Sequence, residues 1–126
     1  MPTSHNFYEF VKPQWISVWI GKFRSEEEFD NYLFDKFTSD FGFAIPHQAL
    51  HETGVEPQDV DIATLVDGFS LSKTFDSQVV KAAERCGISR ASCMLLIYNI
   101  AYTPSVVAGK NTPIKFVGSV SFPGFG

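Results

Sequence analysis

The residues best suited to chemistry in this sequence are two histidines and two cysteines. His47 and His51 stand four positions apart and Glu52 follows, so on a helix both imidazoles would face one metal ion. The glutamate lies outside the pair, Pro46 precedes it, and the sequence offers no evident third ligand. The pattern therefore favours ordinary histidines over a zinc site, and we expect neither a metal nor another cofactor.

The two cysteines, Cys86 and Cys93, occupy apolar positions at the end of a predicted helix and within a predicted strand. A cysteine nucleophile needs a neighbouring base and surroundings that favour the thiolate. The apolar setting instead favours two reduced core residues, because free cysteine packs as a small hydrophobe. Carboxylates are spread over predicted helix surfaces and glycines occur singly, so neither an acid–base pair nor a phosphate-binding loop is indicated.

Composition indicates one packed domain covering residues 1–126, since 44% of the residues are hydrophobic and 13 are phenylalanine. The net charge of −4 argues against direct nucleic-acid binding, which depends on clustered cations, and suits a basic partner. No signal-like segment opens the sequence, and no stretch reaches the roughly 20 apolar residues of a membrane span. We therefore expect a cytoplasmic protein that does not contact a membrane.

A strand followed by a capped helix organises the chain between Trp15 and Phe37. Alternation divides the strand into an aliphatic face of Ile16, Val18 and Ile20 and an opposite face of Trp15, Ser17 and Trp19. We expect the aliphatic face to meet the helices, which leaves the tryptophans either covered by a loop or available to a partner. Ser25 followed by Glu28 matches a capping box and predicts where the helix begins.

The remaining pattern predicts a mixed order of strands and helices. We expect a short strand at Asp40–Ile45, helices at Pro57–Asp67 and Phe75–Cys86, and strands at Ala91–Tyr102 and Ile114–Phe122. The first of the last two strands is apolar on both faces, which is typical of a central strand. The fold class is α+β, with two to three helices packed on a mainly antiparallel sheet of about four strands. The last two strands are expected to pair antiparallel with each other.

Acidic helix surfaces are the remaining candidate for a site. They would steer a basic protein towards this one through the carboxylates of Glu26, Glu27, Asp30 and Asp67. A run of charge is more often a solvated helix face, which is the competing interpretation. Trp15 and Trp19 are likewise either partner contacts or ordinary core residues, because aromatic side chains dominate both settings.

The segment ISVWIGKFRSEEEFDNYL, Ile16 to Leu33, combines a Trp-Ile-Gly strand end, a short basic turn and a Ser-Glu-Glu-Glu helix start. It resembles the opening signature of immunity protein family twenty-two of bacterial polymorphic toxin systems. The segment Ser70–Phe75, the strand MLLIYNIAY and the closing KFVGSVSF resemble later blocks of that family. The resemblance covers most of residues 15–122. It implies an α+β protein that binds a cognate toxin, such as a basic nuclease, and occludes its active surface without doing chemistry.

The resemblance also implies site residues. The tryptophan retained in the family corresponds to Trp19, and its acidic residues correspond to Asp30 or Asp67. The segment FGFAIPHQALHE departs from the aromatic and acidic stretch expected there. Two other functions stay open at this point: a small enzyme, metal-dependent through His47 and His51, and a homo-oligomeric structural protein that uses the tryptophan face as its own interface.

Overall fold

A computed structural model of the protein describes residues 6–46, 49–69, 72–103 and 112–123. After a 3₁₀ turn at Phe7–Phe10, the first half forms β1 (Val11–Gly21), α1 (Glu26–Asp35), α2 (Phe37–Phe41) and β2 (His51–Asp61). The second half forms α3 (Ile62–Asp67), a 3₁₀ turn at Ser72–Thr74, α4 (Asp76–Arg85), β3 (Arg90–Ile100) and β4 (Ile114–Ser121).

The four strands form one antiparallel sheet in the order β2-β3-β1-β4. Ile20 of β1 pairs with Met94 of β3 on one side and with Lys115 of β4 on the other. The predicted α+β class is confirmed, and so is the central position of β3, which is buried along nearly its whole length. The expected pairing of β3 with β4 is wrong because β1 lies between them. β3 and β4 each run antiparallel to β1 and are therefore parallel to each other, so no tight turn can join them.

Both faces of the sheet are covered, which makes two hydrophobic cores. The aliphatic face of β1 packs against α3 and α4, as the alternation predicted, through Ile16, Val18 and Ile20. The opposite face packs against α1, α2 and the first 3₁₀ turn through a cluster rich in aromatic rings, including Trp19, Phe29 and Phe37. The sheet therefore separates α1 and α2 from α3 and α4.

The predicted strand at Asp40–Ile45 is wrong. Residues 37–41 form the short helix α2, and Gly42 ends that helix with a left-handed φ of 83°. Phe37 and Phe41 are four apart, so a helix turns both rings into the core. Phe43 also reaches the core after the glycine turn, where its ring centroid lies 5.4 Å from that of Phe37. Phe41 and Phe43 are therefore both buried although this segment is not a strand.

The predicted helix at Pro57–Asp67 is confirmed only at its end. Its first half belongs to β2, which pairs with β3 from His51↔Ile97 to Asp61↔Arg90. The register shifts between Val55 and Val60, and Pro57 lies in that irregular part. Proline is tolerated there because an irregular edge position does not need its missing N–H. Pairing with the apolar strand β3 thus overrides the local helical pattern.

Candidate partner-binding surface

Helix α1 is fixed at its start by the residues that the sequence indicated. The hydroxyl of Ser25 accepts a hydrogen bond from the backbone N–H of Glu28 at 3.2 Å and lies 3.2 Å from the Glu28 carboxylate. Three glutamates occupy the first turn, where the helix dipole favours negative charge. Ser25 therefore fixes where α1 begins.

The inner side of α1 is held by aromatic contacts. Phe29 is fully buried, and its ring stacks on Phe23 with centroids 5.7 Å apart. The Tyr32 hydroxyl donates a hydrogen bond of 2.6 Å to Asp40 in α2. Burial, together with that hydrogen bond, raises the pKa of Tyr32 far above its ordinary value. These contacts join α1 to α2 and to the sheet, so the outer side is a fixed surface.

That outer side is acidic and carries one aromatic ring. The ten residues of α1 include five carboxylates and no basic residue. Phe34 is 88% exposed, and Asp30 and Glu27 precede it on the same side at spacings of four and seven. Within the described part of the chain, no salt bridge links these carboxylates to a cation. We call the exposed residues Glu26, Glu27, Asp30, Phe34 and Asp35 the α1 face.

Two residues of the α1 face, Asp30 and Asp35, act against the stability of their own helix. Asp30 stands three and four positions after Glu27 and Glu26, and like charges at those spacings repel each other. Asp35 is the last residue of the helix, where the helix dipole disfavours negative charge. Stability alone would favour lysine at that end of the helix.

The expectation that Trp19 contacts a partner is wrong, because Trp19 is 0% exposed. Its indole packs among rings from four parts of the chain, including Phe37 at 5.3 Å and Phe116 at 5.1 Å between centroids. Its Nε1 atom has no hydrogen-bond acceptor among the described residues. Alternation had placed Trp19 on the correct face of β1, and α2 covers that face. Trp19 is therefore a core residue.

Trp15 lies away from the α1 face. It is only partly exposed, and the ammonium of Lys12 stands 4.6 Å from the centroid of its ring. It occupies the half of β1 that is farther from the connection to α1. A cation over an exposed indole is a favourable local contact, and it covers part of the ring. Trp15 therefore does not extend the acidic surface formed by Glu26, Glu27 and Asp30.

Asp67 is exposed but belongs to a different surface. It ends α3, which packs on the sheet face opposite α1. Of the other acids in the predicted second helix, Asp59 and Asp61 lie at the end of β2 instead. The sequence therefore predicted one acidic flank where the structure has two separate groups.

Asp59 and Asp61 are paired with cations. Asp59 accepts from Lys22 at 2.8 Å and stands 3.4 Å from Arg24, while Arg90 donates to Asp61 at 3.0 Å. The hydrogen bond from Lys22 lowers the pKa of Asp59, and the charges of the nearby cations add to that effect. These pairs join the connection between β1 and α1 to the end of β2.

The residues first considered for catalysis do not assemble into a site in the described part of the chain. His47 lies outside the described residues, and the Nδ1 atom of His51 is 3.0 Å from the carbonyl oxygen of Ala49. The described residues contain no group of three or more histidine, cysteine, aspartate or glutamate side chains suited to a metal. Cys93 is buried and free as expected, whereas Cys86 is free but exposed.

Phe34 is the residue that sequence reasoning missed. Phe29 and Tyr32 of α1 are buried and Phe34 is exposed, and the sequence pattern had assigned Phe34 no role. Its position relative to Asp30 was the available signal, because a residue four places after an exposed acid faces solvent on the same side of a helix. A large apolar residue on the polar side of a capped helix is a candidate for contact with a partner protein.

Comparison with known proteins identifies the chain at the family level. A family model described as Immunity protein 22 matches residues 16–123, which include every strand and α-helix described here except the first residues of β1. No curated protein and no solved structure gives a significant match. Among the described residues, no helix has both the length and the apolar character needed to cross a membrane.

Proposed function

The chain belongs to the Immunity protein 22 family, which neutralises a cognate toxin, and we propose that it does so by covering a basic surface of that toxin with the α1 face. Immunity proteins are typically not enzymes, so neutralisation depends on a contact surface. The observation that carries the proposal is Phe34, exposed beside the carboxylates of Glu27 and Asp30.

Charge and shape have separate parts in this proposal. The carboxylates of α1 attract a basic toxin and accelerate encounter, because long-range attraction raises association rates. Phe34 then supplies apolar area at the centre of the contact, where aromatic residues are enriched. Contact with cations would also relieve the repulsion between Asp30 and the two glutamates before it. A nuclease suits this description because its nucleic-acid site is itself cationic.

Occlusion is the mechanism that this surface supports. A rigid acidic helix occupies the space in front of a basic active site, so the substrate of the toxin cannot enter. We propose that this contact lies in the bacterial cytoplasm, where the toxin would otherwise act on the producing cell. Inhibition by occlusion is competitive with substrate, whereas binding elsewhere on the toxin is not.

The test uses the cognate toxin and two double variants of equal charge change. E27Q/D30N neutralises the α1 face, and D67N/E84Q removes the same charge from the opposite layer. We expect the first pair to slow toxin association by about tenfold at low salt and to reduce the salt dependence of the rate. The second pair should change the rate by less than about twofold.

Three outcomes would contradict the proposal. The first is that the protein does not protect cells that express the toxin. The second is that the two double variants slow association equally. The third is that inhibition does not weaken as the concentration of toxin substrate is raised. The first outcome opposes toxin neutralisation by this chain. The second opposes the α1 face as the contact, and the third opposes occlusion.

A further inference from the structure

A cavity of 480 Å³ lies where the ends of three strands meet the segment that follows α4. Its apolar lining is contributed by Ile20, Ile88, Ala91 and Phe116. Three cations also line it, one beside the end of each of these strands: Lys22 after β1, Arg90 in β3 and Lys115 in β4. None of the described residues that line the cavity is acidic. In a chain of net charge −4, the charged side chains that line this cavity are all positive.

Two of the cations are held in place from outside the cavity. The guanidinium of Arg90 donates to the Asp61 carboxylate at 3.0 Å and to the backbone carbonyl of Asp59 at 2.8 Å. The Lys22 ammonium donates to the Asp59 carboxylate at 2.8 Å. Arginine has five N–H donors and a lysine ammonium has three, so both retain donors for a ligand. Their acidic partners position them without lining the cavity.

We infer that this cavity binds a small organic anion, with an apolar body against Ile88 and Ala91 and an anionic head against Lys22, Arg90 and Lys115. The volume falls within the range of small-molecule sites, roughly 300–1,000 Å³. The combination of an apolar lining with a few charged donors is also typical of such sites. The basic toxin face invoked above is the wrong occupant, because the cations would repel it. The inference is therefore independent of toxin binding.

The first measurement compares two fluorescent probes that differ mainly in charge. The anion 8-anilino-1-naphthalenesulfonate has an aromatic body and a sulfonate head, and N-phenyl-1-naphthylamine is its neutral analogue. We expect saturable binding of the anion with one site per chain, and binding of the neutral probe weaker by about tenfold. Equal binding of the two probes would show that the cations do not select the ligand and would overturn the inference.

Cys86 reports whether the probe occupies this cavity, because its side chain lines the cavity and is exposed. The other thiol, Cys93, is buried, and burial raises its pKa to about 11, so a neutral maleimide should alkylate Cys86 first. Saturating anionic probe should slow alkylation of Cys86 severalfold and, because the site exists only in the folded chain, should raise the free energy of unfolding. Probe binding without protection of Cys86 would place the ligand elsewhere and would refute the assignment.

The variant R90Q/K115Q removes two cations, and K73Q/K81Q removes the same charge outside the lining of the cavity. We expect the first pair to weaken binding of the anionic probe by about tenfold and the second pair to leave it nearly unchanged. Cys86→Phe keeps all three cations and fills the cavity, so it should also abolish binding of the anionic probe. This variant provides the test if R90Q/K115Q does not fold. Unchanged binding in the charge variant or the filled variant would overturn the inference.

Displacement identifies the head group that the site prefers. 1-Naphthoate and 1-naphthyl phosphate carry the same rings with a carboxylate or a phosphate. The stronger competitor identifies the class of anion to seek in cells. If neither displaces the probe at millimolar concentration, the cavity does not take a carboxylate or phosphate head group, and the inference is overturned.

Discussion

Replacing Phe34 with alanine tests the α1 face at the residue that defines it. The ring is 88% exposed in the free protein, so its removal leaves no cavity in the core. Alanine is also the better helix former, by about 0.5 kcal/mol. We therefore expect the free energy of unfolding to stay constant or to rise by about 0.5 kcal/mol, measured by urea denaturation followed through tryptophan fluorescence.

Toxin binding should change in the opposite direction. Burial of an exposed phenylalanine side chain contributes about 2–3 kcal/mol, and each 1.4 kcal/mol is a factor of ten in Kd. Loss of the Phe34 ring should thus weaken toxin binding by roughly 30- to 150-fold. Because apolar contacts form after encounter, most of the loss should appear in the dissociation rate, measured by biolayer interferometry with immobilised toxin.

Phe29 is the matched control on the same helix. It is 0% exposed, and Phe29→Ala should lower the free energy of unfolding by about 3–5 kcal/mol. At temperatures where that variant still folds, its affinity for toxin should be close to that of the unmodified protein. The reasoning is refuted if Phe34→Ala binds toxin within twofold of the unmodified protein, or if it destabilises the fold by more than about 1 kcal/mol.

Three further predictions concern the core, the helix end and pH. Trp19→Ala should lower the free energy of unfolding, measured in urea, by about 3–5 kcal/mol. Trp19→Phe should lower it less, because phenylalanine retains most of the ring contacts and removes the unpaired indole N–H. Equal losses in the two variants would contradict this account. Asp35→Asn should stabilise the protein by about 0.3–1 kcal/mol in thermal unfolding while slowing toxin association, and a lower Tm would count against the dipole argument. Burial, with a hydrogen bond to a carboxylate, raises the pKa values of Tyr32 and Tyr98 above the ordinary value near 10. The unfolded chain therefore loses these protons first, so stability is retained below about pH 10 and falls above it by about 1.4 kcal/mol per pH unit for each tyrosine. Urea unfolding between about pH 9 and 11.5 measures the slope, and a flat profile would show that both phenols ionise in the folded state.

Several features of the fold followed from local pattern. Alternation assigned Ile16 and Trp19 to opposite faces of β1, and Ser25 marked the start of α1. The long apolar run of β3 indicated a strand buried on both sides. These features depend on the period of the side chains and on the capping of backbone N–H groups, which are properties of neighbouring residues. The acidic part of the candidate site was predictable for the same reason.

Strand pairing was decided by the tertiary structure. Residues 57–61 have a helical pattern, but they belong to β2, in which Val60 and Asp61 pair with β3, because hydrogen bonds and apolar contacts along an edge strand outweigh a weak local preference. The same is true of the position of β1 between β3 and β4, which depends on a connection that can span more than one strand. Asp59, Lys22 and Arg24 meet only because the end of β2 lies beside the exit of β1.

The sequence by itself determined the face of each residue in its strand or helix, and the tertiary structure decided which faces are covered. Trp19 and Phe34 show the difference. Trp19 was expected at a partner surface and lies in the core, because α2 packs over its side of the sheet. Phe34 had no assigned role and is exposed, because Phe29 and Tyr32 already fill the contact between α1 and the sheet. Side-chain period is a local property, whereas burial depends on the elements that pack above each face.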